Sequence, residues 1–97
     1  MNREGQVLTA NDFAPRRGKT FNVDTTAGAV PLLLSAVQEL PASGREGGAF
    51  RLEFQGPLEP ILPQATYPFR IDRERFEIFV VPLGPQGARM RYEAIFY

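Results

Sequence analysis

The stretch "FRLEFQ" (residues 50–55) places Phe50, Leu52 and Phe54 on one side of an extended chain and Arg51, Glu53 and Gln55 on the other. A helix would spread the same six residues around its circumference, whereas a strand with one dry face needs a period of two. The pattern recurs on either side. Tyr67, Phe69 and Ile71 form one apolar row, followed by a turn at Asp72-Arg73-Glu74. Phe76, Ile78 and Val80 form another, alternating with Glu77, Phe79 and Val81, so that both faces of that strand are largely apolar. Met90, Tyr92, Ala94 and Phe96 alternate with Arg89, Arg91, Glu93 and Ile95.

Upstream, Phe21 and Val23 alternate with Thr20, Asn22 and Asp24 ahead of a turn at Thr25-Thr26-Ala27-Gly28. Residues 29–40 admit two readings. Leu33, Val37 and Leu40 share a helical face, while Val30, Leu32, Leu34 and Ala36 share a strand face. Pro31 and the alternating neighbours favour strand. Before them, Thr9 and Asp12 stand at capping-box spacing, Leu8 and Phe13 at the positions of a hydrophobic staple, and Pro15 and Gly18 end the helix after a turn or so. This short helix is expected to seat Phe13 against the end of a sheet. "PASGREGG" (41–48) reads as a mobile connection and Pro82 to Gly87 as a tight hairpin connection.

The expected fold is therefore all-β and mainly antiparallel: a small six-stranded barrel or sandwich with one short N-terminal helix, in a single domain over residues 1–97. A chain of this length buries only about 60–65% of its unfolded surface, so an interface could supply part of its stability.

Composition restricts the chemistry. The chain has no Cys, His or Trp, and its eleven basic and eleven acidic residues cancel. Disulfides, thiol nucleophiles, the usual zinc sites and histidine acid–base catalysis all fall away. The balanced charge argues against nucleic acid, whose binding rests on phosphate neutralisation. No apolar run reaches membrane-spanning length, and no apolar leader follows the first residues, so a cytoplasmic location is expected, alone or within a larger particle.

Glu74 with Glu77, or Glu53 with Glu59, could be read as an acid–base pair, but most of these acids lie among arginines, and cross-strand ion pairing explains them without catalysis. Asp12, Asp24 and Asp72 are isolated, and Ser35 and Ser43 have no histidine to activate them. "GREGG" (44–48) lacks the Lys-Ser/Thr of a phosphate loop. No enzyme activity, metal or cofactor is expected.

The aromatic residues fall mostly on the inner faces, which makes them core rather than a base-stacking platform. Phe79, Val81, Ile95 and Tyr97 occupy the opposite faces. Either they form an exposed apolar patch that marks an interface, or the short helix covers them. Pro57, Pro60 and Pro63 have the three-residue spacing of a polyproline ligand. With no cation between residues 56 and 67, and with Leu58, Ile61 and Leu62 suited to burial, a rigid crossover is the better reading. Pro68, lacking an N–H, marks a free edge or a bulge in its strand.

"LTANDFAPRRGKTF", "FRLEFQGPLEPILPQATYPF" and "FEIFVVPLG…MRYEAIF" together resemble a bacterial family of uncharacterised domains of about this length. Leu62-Pro63-Gln64 and Tyr92-Glu93-Ala94 are the most specific elements of the match. The resemblance implies a place beside phage-tail-collar-type fibre proteins and carries over no catalytic or ligand residue. The expected role is a non-enzymatic structural or assembly module that docks on a protein partner or on itself through Phe79, Val81, Ile95, Tyr97 and the Pro68 edge. A barrel that binds a small apolar ligand is the alternative, disfavoured because large side chains would fill it.

Overall fold

The structure, a computed structural model, describes residues 7–41, 44 and 47–97. Residues 1–6, and four of the eight in the 41–48 connection read as mobile, lie outside the described residues.

A short helix α1 (Ala10–Phe13) runs into a 3-10 turn (Ala14–Arg16). Six strands follow: β1 (Thr20–Thr25), β2 (Gly28–Glu39), β3 (Phe50–Gly56), β4 (Ala65–Ile71), β5 (Glu74–Gln86) and β6 (Arg89–Phe96). All pairings are antiparallel, in the order β1-β2-β3-β6-β5-β4, and β4 returns to β1 to close a barrel. Residues 29–39 are strand, as Pro31 and the alternation suggested.

The closure is uneven. β1 and β4 pair only at Asn22–Arg70 and Val23–Phe69, and the β5–β6 ladder extends no further than Val81–Glu93. Phe13 fills the end of the barrel where β5 begins and β6 finishes. Its ring lies 5.1 Å from Phe76, 5.8 Å from Phe50, 6.1 Å from Phe96 and 6.4 Å from Phe21. The Asp12 carboxylate accepts the Thr9 N–H at 2.7 Å, and Leu8 and Phe13 are both buried, so box and staple aim the ring inward. Arg16 ties this plug to the sheet by an ion pair with Glu74 and by lying 5.4 Å from the centre of the Phe76 ring.

The 57–64 crossover closes the opposite end. Leu62 is buried, and its N–H donates to the Tyr92 hydroxyl at 2.9 Å. Leu58 and Ile61, expected to be buried with it, are exposed. Of the three, Leu62 alone turns into the barrel, while Ile61 lines a cavity beside the crossover. Gly56 opens the crossover where a Cβ would collide with the Leu32 side chain and stand 3.4 Å from the Pro31 carbonyl, so glycine lets β3 pass close to β2.

Two strands depart from the expected alternation and bounds. Ala36 does not continue the inward row of Val30, Leu32 and Leu34. The β2–β3 register shifts between Leu34 and Ala36, the Ser35 hydroxyl bonds to the Glu53 carbonyl at 3.0 Å, and Val37 packs on the core instead. A bulge inserts one residue and so reverses the parity of all that follow. Nor is 82–87 a loop. β5 continues to Gln86 and turns at Gly87 and Ala88, with a second bulge at Leu83 that uses the positive φ of Gly84.

Phe13→Ala is expected to cost about 3–5 kcal/mol, because it empties a site lined by four rings that cannot collapse inward. Tyr92→Phe is expected to cost about 1–2 kcal/mol by leaving the buried Leu62 N–H without its acceptor. Urea unfolding monitored by circular dichroism measures both, with Phe13→Ala the larger loss.

Candidate interaction surface

The inward residues of the strands leave little room inside the barrel. Phe21, Phe54, Phe69 and Tyr92 have no solvent exposure, with Phe21 edge-on to Phe54 at 5.7 Å and Phe54 5.0 Å from Phe69. These rings occupy the volume that the alternative reading assigned to a small apolar ligand. Among the described residues no polar or charged residue is buried.

The outer faces carry the chemistry that remains. Phe79 is 50% exposed, Ile95 41% and Tyr97 73%, while Val81 and Pro68 are half-buried. Val81 pairs with Glu93, so Phe79 and Ile95 each lie two residues further along neighbouring strands and point the same way. Tyr97 is two residues beyond Ile95. The structure thus brings Phe79, Val81 and Ile95 onto one outward face with Tyr97 at its end. α1 does not cover them, because Phe13 is spent in the barrel interior. Pro68 sits across from Glu77, one strand away from the others, with Thr66 opposite Phe79 as the link.

Beside the apolar face runs a ladder of charge. Glu53 accepts from Arg51 Nη2 at 2.7 Å and from Arg91 Nε and Nη2 at 2.9 and 3.1 Å, and Arg51 also pairs with Glu93. Hydrogen bonds from Arg91 and then Arg51 hold the Glu53 carboxyl at about 2, well below its ordinary value. A carboxylate gripped by two guanidiniums is a poor proton donor and a poor base near neutral pH. Asp24, likewise lowered, is held by Arg70 through three hydrogen bonds of 2.7–3.1 Å. Glu74 pairs with Arg16, a residue far away in sequence. Among the described residues no three His, Cys, Asp or Glu side chains gather as metal ligands.

Sequence reasoning missed one feature. A cavity of about 730 Å³ opens where β4 parts from β1, between the β1–β2 turn and the crossover, with Ile61, Leu62, Tyr67 and Pro68 among its lining. Tyr67, in the inward row, packs on the core, is half-buried here and donates its hydroxyl hydrogen to the Pro63 carbonyl at 2.7 Å. Pro68 was the available signal, since a proline inside an apolar strand implies that one side lacks a ladder.

The Glu53 network predicts a pH dependence. Because its folded value lies below its unfolded one, Glu53 stabilises the fold fully above the ordinary carboxylate range, and that contribution is lost as pH falls toward about 2. Glu53→Gln is expected to lower stability at pH 7 by about 1–2 kcal/mol and to flatten the profile below about pH 4.5, as read from thermal melts between pH 2 and 7.

No helix among the described residues is long and apolar enough to cross a membrane. No curated protein and no solved structure matches the chain. A family model described as a domain of unknown function, DUF6916, matches residues 8–96, from the hydrophobic staple to the end of β6. The chain belongs to this family.

Proposed function

We propose that the domain is a non-enzymatic docking module whose outer β5–β6 face, carrying Phe79, Val81, Ile95 and Tyr97, binds a protein partner or a second copy. One observation carries the reading: three large apolar side chains stand exposed on two neighbouring strands while the interior already holds its full set of rings. Such a cluster costs solubility and is kept where it is covered in use. Of the acidic residues that could serve catalysis, Glu53, Glu74 and Glu77 are engaged by arginines, which supports a structural role over a catalytic one. The place beside tail-collar-type fibre proteins that the sequence resemblance implies makes an elongated fibre protein the partner to look for, with the module an accessory of that assembly.

Immobilised protein is expected to capture a partner from an extract of its native cells, or to self-associate in light scattering. The triple variant Phe79→Ser, Ile95→Ser, Tyr97→Ser should melt within a few degrees of the parent and lose that association at least tenfold. A strictly monomeric parent that captures nothing would overturn the proposal.

A further inference from the structure

We propose that the groove between β1 and β4 receives an extended, uncharged peptide segment of another protein, which pairs with the backbone of Thr66 as an added strand. The inference rests on the docking reading and supplies a second, continuous contact for the same partner.

Pro68 sets the direction of the β4 backbone. The β4–β5 register runs without a shift from Ala65–Val80 to Ile71–Glu74, straight through Pro68–Glu77. A proline nitrogen turned toward β5 would remove a bond from that ladder, so position 68 directs its backbone groups away from β5. Backbone direction alternates along a strand, and Thr66 therefore points its N–H and C=O the same way. Further along, that side of β4 is met by β1 at Phe69 and Arg70, but the pairing stops there. Thr66 faces the cavity instead.

The surroundings select the occupant. Among the described residues the only charged side chain lining the cavity is Asp24, and Arg70 already neutralises it. A charged segment would find no counter-ion there, whereas Ile61, Leu62, Tyr67 and Pro63 offer apolar contact. The edge is recessed between the β1–β2 turn and the crossover, which favours a single strand over a folded domain. Side chains of an added strand would alternate, one set against Ile61 and Tyr67, the other on the outer face beside Thr66 and its cross-strand neighbour Phe79. That second set continues the apolar face of the proposed docking surface.

The test uses the ¹⁵N-labelled full chain and the uncharged hexapeptide acetyl-Thr-Val-Thr-Val-Thr-Val-amide, with a Gly-Ser hexapeptide as control. In the free protein the Thr66 N–H is expected to exchange at least tenfold faster than that of Ile78. Millimolar Thr-Val peptide should shift the amide signals of Ala27, Ile61, Thr66 and Tyr67 and slow Thr66 exchange about tenfold, while the control does neither. Thr66→Pro removes the groove-side donor and no donor of the β4–β5 ladder, so it should fold and lose the response. A Thr66 N–H as protected as that of Ile78, or peptide shifts that are absent or lie elsewhere, would overturn the proposal. A dimer that Thr66→Pro dissociates would assign the groove to a second copy and overturn it equally. The double variant Ile95→Ser, Tyr97→Ser, remote from the groove, should keep the peptide response. If that variant also keeps partner capture, the docking reading fails while the groove stands.

Discussion

The packing of large rings inside a barrel of only six strands is the constraint on which the rest of this structure depends. Side chains that alternate inward from every strand meet near the axis, and rings of phenylalanine size fill the space with few partners to spare. The strands do not seal the volume at either end. Phe13 and Leu62, delivered from outside the sheet, complete it, one through a staple and the other through a hydrogen bond to Tyr92. A domain this small has no second core to rely on, so both plugs are structural necessities.

The same economy shapes the sheet. Four prolines lie within strands, and each stands in a stretch with a ladder on one side only. Pro31 is paired with β1 where the β2–β3 ladder has not begun, Pro68 with β5 where β1 has departed, and Pro82 in the part of β5 that β4 does not reach, as does Pro85. Proline cannot donate, so it is tolerated where no neighbour asks for its N–H. These positions also resist further pairing, which protects an incompletely closed barrel from indiscriminate edge-to-edge association. The Thr66 backbone, beside Pro68 but with its own N–H, is the opening left between such guards.

With the interior filled by rings, the remaining chemistry lies on the outside of the barrel. The outer faces divide into an apolar part on β5 and the end of β6, and a charged part on β3 and β6 in which Arg51, Glu53, Arg91 and Glu93 satisfy one another. Paired charges of this kind hold neighbouring strands in register and leave the apolar part as the surface with the most to gain from a partner.

Local alternation determined much of this protein by itself. Period-two rows at 50–55, 66–71, 76–81 and 89–96 mark strands because one residue of every two must leave water, and the helix plug was legible in Thr9, Asp12 and the Leu8–Phe13 spacing. The outward direction of Phe79 and Ile95 followed from the same parity, whereas their exposure was decided by where the short helix packs. Tertiary structure decided what parity cannot carry. The bulges at Ser35 and Leu83 reverse the faces of later residues, and a bulge depends on the partner strand, which no local pattern names. The partners of Glu53 and Glu74 were hidden for the same reason, since Arg91 and Arg16 come near only when distant strands and the plug assemble. The groove at Thr66 is a property of where β1 leaves β4. Pro68 announces that an edge is open, but only the closed barrel shows which edge and what surrounds it.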